Sequence, residues 1–186
     1  MRNHLSFLKV YKKKNTKSEV VTQLLYGETF KKLNQSGSWI KIKNNLDNYK
    51  GYIKNKKFPS NQKNTHKVYV LFSNIYLRPK KSSKTKKKLS FLSKINITEK
   101  KNGFCKFDNF WIKENTLKKV NHTNKDLFLN IKKFINIKYK WGGKHYTGVD
   151  CSGLIQLFFN YNNKFCPRDA KDQIKYFKKK VSLNNI

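Results

Sequence analysis

Tyr139 to Gly153 reads YKWGGKHYTGVDCSG. The paired glycines at 142 and 143 mark a turn, and the chain becomes apolar at helical spacing after Asp150, through Leu154, Ile155, Phe158 and Phe159. This spacing predicts a helix from about Cys151 to Tyr161, with Asp150 as its N-cap and a wide apolar face. Cys151 would then stand in the first turn, where unpaired N–H groups and the helix dipole favour negative charge. A thiol attacks as its thiolate, so this is a suitable place for a nucleophile. Gly153 leaves room for a substrate backbone. Cys105 and Cys166 lack such neighbours and read as small buried hydrophobes.

Working outward, Pro167 followed by Arg168-Asp169 predicts a further helix with Ile174 and Phe177 facing inward. On the other side, Asn124-Lys125-Asp126 can cap a helix carrying Leu127, Phe128, Ile131, Phe134 and Ile135. Residues 1–120 look different. Short apolar runs alternate with turn signals, as in small β-barrels. Two segments, Val10 to Phe58 and Val68 to Val120, follow one plan, and Trp39-Ile40-Lys41 pairs with Trp111-Ile112-Lys113 as its clearest mark. The expected division is 1–60, 61–120 and 121–186. Pro59 to Lys67 reads as a linker, Lys80 to Lys88 as a solvated loop, and Lys100 to Asp108 as a longer loop of the second unit.

The charge is extreme, with 43 basic against 10 acidic residues and a net +33. Such a surface favours polyanions at low salt. The lysines are nevertheless spread along the chain, and nucleic-acid binding would leave the cysteine motif unexplained, so nucleic acid is not the expected partner. No apolar run is long enough to span a bilayer, so no membrane insertion is expected. The first residues, MRNHLSFLKVYKKKN, carry no small-residue cleavage site, which argues for a cytoplasmic protein. Three cysteines without paired spacing point to a reducing compartment. No Cys/His cluster has ligand spacing, and neither metal nor cofactor is expected.

The residues also support a resemblance. YxWGGxxxxGxDCSG, followed by PRDAKDQ from Pro167, is similar to the signature of the NlpC-type cysteine peptidases. Two preceding bacterial SH3-like barrels resemble the subgroup that cleaves γ-D-glutamyl–diamino-acid bonds of murein peptides, and Asp47 to Ile53 (DNYKGYI) resembles a first-barrel segment of that subgroup. The resemblance implies a fold of two SH3-like barrels followed by the N-terminal helical half of a papain-like α+β peptidase domain. It implies Cys151 as nucleophile and Tyr139 as a donor to the oxyanion. It also implies a substrate-binding set of Asp150, Ser152 and Asp169, with Tyr49 and Asp47 closing the cleft from the first barrel. The family's base is a histidine on a strand well past the PRDA helix. The four histidines, His4, His66, His122 and His145, do not match that position, and 35 residues follow Cys151. The resemblance therefore implies a truncated chain, inactive alone, whose helix would expose Leu154, Phe158 and Phe159 for want of the sheet that covers them.

Overall fold

The computed structural model describes residues 1–177. Five strands open the chain: β1 (Phe7–Tyr11), β2 (Val20–Leu25), β3 (Phe30–Ser36), β4 (Trp39–Asn44) and β5 (Lys50–Lys54). They form one antiparallel sheet in the order β2-β1-β5-β4-β3. Alternation sets its faces. Ile40 and Ile42 of β4 turn inward with Leu8, Val10, Leu24, Phe30 and Ile53 to make a compact apolar core. The register slips between Lys32 and Asn34, and the intervening Leu33 is left exposed despite its apolar side chain.

The next strands are β6 (His66–Val68), β7 (Phe72–Tyr76), β8 (Lys84–Ser90), β9 (Lys94–Ile95), β10 (Glu99–Lys101), β11 (Phe104–Phe107), β12 (Phe110–Lys113) and β13 (Leu117–Lys119). They make a five-stranded sheet, β10-β11-β12-β7-β8, and a three-stranded one, β13-β6-β9. The sheets among the described residues keep free edges and do not close into a ring. Between them lies a second core of Val68, Ile75, Leu89, Ile95, Cys105, Phe107, Ile112 and Leu117, into which Tyr26 reaches from the first sheet. Two sequence expectations need correction. The linker ends at Thr65, because His66 already pairs in β6. Residues 99–107 form the β10–β11 hairpin rather than a loop. Its turn is Asn102-Gly103, both at positive φ, a dipeptide that suits the twist of a two-residue hairpin.

The last region contains a short hairpin, β14 (Lys144–His145) and β15 (Gly148–Val149), and two helices, α1 (Cys151–Tyr161) and α2 (Ala170–Tyr176). The helix expected from Asn124 is absent, and only a 3-10 turn at Ile131–Phe134 forms there. Local side chains compete for the backbone. Asp126 Oδ1 accepts the N–H of Phe128, while Asn162 accepts the N–H of Asn124 and donates to the carbonyl of Leu127. Phe134 still turns inward, whereas Leu129 and Ile135 face solvent.

The expected exposure of the α1 face is also overturned. Phe158 is fully buried, ringed by Phe91, Phe128 and Phe134, and Leu154 and Phe159 are half-buried. Phe91 comes from the end of β8, so the second sheet region covers this helix. In α2, by contrast, Ile174 is exposed rather than inward, and Phe177 is half-buried against Phe159.

Candidate active site

The site is built on the start of α1. Asp150 has extended backbone geometry, and its Oδ1 accepts the N–H of Gly153 at 2.7 Å, the N-cap arrangement expected from the sequence. Its Oδ2 accepts the N–H of Gly142 at 2.8 Å, tying the glycine turn to the helix. Gly142 lies at φ 69°, and a Cβ there would sit 2.1 Å from the carbonyl oxygen of Val20. Only glycine fits that approach. Arg168 completes the cap. Its guanidinium donates to both Asp150 oxygens at 3.1 and 2.7 Å, to Ser152 Oγ at 3.0 Å and to Thr22 Oγ1 on β2 at 2.8 Å. Gln173 of α2 donates to the carbonyl of Ser152 at 2.9 Å. The first turn of α1 is thus fixed from three sides, and Cys151, its first residue, is exposed.

Cys151 stands between two openings. One is a cavity of about 310 Å³ lined by Glu19, Tyr139, Trp141, Asp150, Ser152 and Asp169, together with Val21, Arg168, Ala170 and Lys171. The other is a more apolar cleft of about 480 Å³ floored by Ile155, Ile174 and Phe177. The walls of the first cavity come from distant parts of the chain. Glu19, just before β2, accepts the Trp141 Nε1 hydrogen at 2.7 Å and one from Lys12 at 2.9 Å. These two hydrogen bonds, that of Lys12 first, hold its carboxyl below the usual range. Tyr49 donates to Asp169 Oδ2 at 3.2 Å. Burial pushes the Asp169 carboxyl up, with Tyr49 and Arg168 acting in the opposite direction. Burial, and then the Asp169 charge, raise the Tyr49 hydroxyl.

Most residues singled out from the sequence meet in this place, though not all in the form expected. Cys151, Tyr139, Ser152 and Asp169 line the first cavity, and Tyr49 reaches it through Asp169. Asp150 lines it too, and Arg168 and two backbone N–H groups hold its oxygens, so it also positions the turn. Asp47 lies behind the cavity. Its side chain accepts from Gln156 of α1 at 2.9 Å and from the N–H of Tyr49 at 3.0 Å. No histidine lines either opening among the described residues. His145 is buried between Phe7 and Tyr146, with Nδ1 at Thr147 Oγ1. Burial, and then Lys140, push it down to about 4. His122 packs on Tyr161, at the opposite end of α1. Sequence reasoning missed Arg168, Glu19 and Trp141. Arg168 was legible, since an arginine in a short apolar-flanked motif beside acids needs a carboxylate partner once buried. Glu19 gave no local signal, because it is brought in by the sheet.

The family described as Bacterial SH3 domain matches residues 6–58, and the NlpC/P60 family matches residues 136–186. The second match takes in the glycine turn, Cys151 and both helices. Among solved structures, the crystal structure of an NlpC/P60 family protein from Bacillus cereus aligns over 94% of this chain and 76% of that one, with a TM-score of 0.80 at 16% identity. That likeness is one of fold. NlpC2 and NlpC1 from Trichomonas vaginalis align over 97% of this chain and over 71% and 68% of theirs, at 19% and 18% identity, with TM-scores of 0.40 and 0.39. No curated protein matches the chain.

Proposed function

We propose that the chain carries the nucleophile of a cysteine peptidase that hydrolyses γ-D-glutamyl–diamino-acid bonds of free murein peptides. The observation that carries the reading is the exposed Cys151 at the first position of a rigidly capped helix, opening on a cavity lined by Glu19 and Asp169 as well as by the Arg168-paired Asp150. In this reading the thiolate adds to the γ-glutamyl carbonyl carbon. Tyr139 and the first-turn N–H groups left over by the cap stabilise the oxygen that becomes negative. The C–N bond then breaks, the leaving amine takes a proton from water or from added imidazole, and water hydrolyses the thioester to a carboxylate and the free thiol. Asp169 and Glu19 suit a free N-terminal ammonium in the cavity, with Ser152 in the same lining and Tyr49 bonded to Asp169. Carboxylates in the cavity lining suit short peptides with a free amine, and cytoplasmic recycling is part of the proposal.

None of the four histidines of these 186 residues lines the cavity, so these residues alone lack an evident base. Members of such a catalytic set fail together, so turnover by these residues alone is expected to be negligible. The test is incubation of the full chain with L-Ala-γ-D-Glu-diaminopimelate, with and without added imidazole, against Cys151→Ala. Support is hydrolysis that needs imidazole and Cys151. The reading fails if the peptide neither binds nor is cleaved and if Cys151 resists alkylation in the folded protein. The same missing base favours a second reading, a wall-peptide-binding module without catalysis. Tight binding by the full chain, equal in the Cys151→Ala variant and without cleavage under any condition, would select it.

A further inference from the structure

From Asn48 to Thr98 the sequence holds thirteen lysines and Arg78, and no aspartate or glutamate. Seven of these cations fall between Arg78 and Lys88: Arg78, Lys80, Lys81, Lys84, Lys86, Lys87 and Lys88. The sequence suggests a solvated loop. The structure instead shows an ordered hairpin tip that continues into the edge strand β8. Ser83 fixes the tip. Its Oγ accepts the N–H of Arg78 at 3.0 Å and lies 2.8 Å from the carbonyls of Arg78 and Lys80. Six of the seven cations are exposed and Lys88 is half-buried. The ion pairs among the described residues involve Arg2, Lys12, Lys100, Lys106, Lys144 and Arg168, and none of this run.

Aromatic rings lie among these charges. Lys88 Nζ sits 4.1 Å from the centre of the Phe72 ring and 5.7 Å from that of Tyr146, and Lys87 Nζ lies 4.9 Å from that of Phe110. Phe72 and Tyr146 are themselves 5.0 Å apart, and Phe72 is 37% exposed. The β7–β8 register slips between Lys84 and Lys88, and Lys84, Lys86 and Lys87 all stay exposed there, a short row of charges on the edge strand that an extended phosphodiester backbone can follow. Lysines on an edge strand also discourage strand addition. That role does not call for Arg78, Lys80 and Lys81 at the tip, nor for the exposed Phe72 ring beside the row.

We propose that the β7–β8 hairpin is a binding surface for single-stranded nucleic acid. The lysine row neutralises phosphates, and Phe72 with Tyr146 offers a face for a base once Lys88 swings to the backbone. None of these residues lines the Cys151 cavity, so the proposal stands apart from the peptidase reading.

The test is fluorescence anisotropy of a labelled single-stranded RNA of about 16 nucleotides with the full chain, over a range of salt concentrations. Replacing Lys84, Lys86, Lys87 and Lys88 by Gln is expected to weaken binding by about a hundredfold and to flatten the log–log salt slope by roughly 3. Replacing the exposed Lys9, Lys13, Lys17 and Lys31 by Gln removes the same charge elsewhere and is expected to cost about threefold. Phe72→Ala is expected to weaken binding by about tenfold with the salt slope unchanged. Equal losses for the two lysine sets would overturn the proposal, since charge alone would then explain binding. A silent Phe72→Ala would overturn it too, as would tighter binding of a glycerol-phosphate polymer of matched length.

Discussion

Arg168 carries its charge to a position only 3% exposed and meets Asp150 with two parallel hydrogen bonds. Removing one member of a buried pair leaves the other charge without compensation, at a cost of about 3–5 kcal/mol. Arg168→Gln is therefore expected to lower the unfolding free energy by about that amount in a urea titration. Adding Asp150→Asn is expected to cost little more, and additive losses would mean that the two groups act independently. The three cysteines provide a second test at this scale. Cys151 is exposed, whereas Cys105 and Cys166 are buried. Burial pushes the Cys166 thiol up to about 11 and raises that of Cys105. Iodoacetamide at neutral pH should thus label Cys151 alone in the native protein and all three after denaturation, as read by peptide mass spectrometry. Native labelling of Cys166 at the rate of Cys151 would contradict the packing of α1 against α2.

At the scale of elements, α1 was legible because its apolar residues keep helical spacing for three turns and its cap immediately precedes it. The segment from Asn124 was not, although its spacing was nearly as good. Whether a short stretch becomes a helix depends on whether side chains such as Asp126 and Asn162 claim its backbone, and Asn162 comes from another element. The hairpin at Asn102-Gly103 could have been read from that dipeptide alone. The partner of the α1 face could not, because Phe91 lies 67 residues before Phe158 in the sequence. Phe158→Ala is expected to cost about 3–5 kcal/mol of stability, since the cavity it leaves is bounded by Phe91, Phe128 and Phe134 and cannot collapse freely. The glycine turn is stricter than the helix. Gly142→Ala places a Cβ on the Val20 carbonyl at positive φ, so a loss of about 2 kcal/mol or more is expected, together with slower alkylation of Cys151 as the turn moves off Asp150.

On the scale of the whole molecule, the three sequence regions are joined by polar contacts that no local pattern announces. Arg2 and Tyr26 meet Asp108 of the β11–β12 turn, Lys144 pairs with Glu28, and Lys67 donates to the carbonyl of Tyr161 at the end of α1. His145 sits at one such joint. It packs on Phe7 of β1, and the next residue, Tyr146, donates its N–H to Ser90 Oγ at the end of β8. Its Nδ1 faces the Thr147 hydroxyl and N–H, while its Nε2 is buried without a partner. Protonation there would place a charge among rings and near Lys140, and so the folded value falls from 6.5 to about 4. Between those two values the unfolded chain binds a proton that the folded chain refuses. Stability must therefore fall as the pH is lowered from 6.5 towards 4, by on the order of 3 kcal/mol at the lower limit. Chemical denaturation across that window should show the loss, and His145→Phe, which keeps the aromatic packing without a titrating nitrogen, should flatten it. If the two proteins lose stability in parallel, the joint does not titrate, and His145 reaches water through an opening of the three regions.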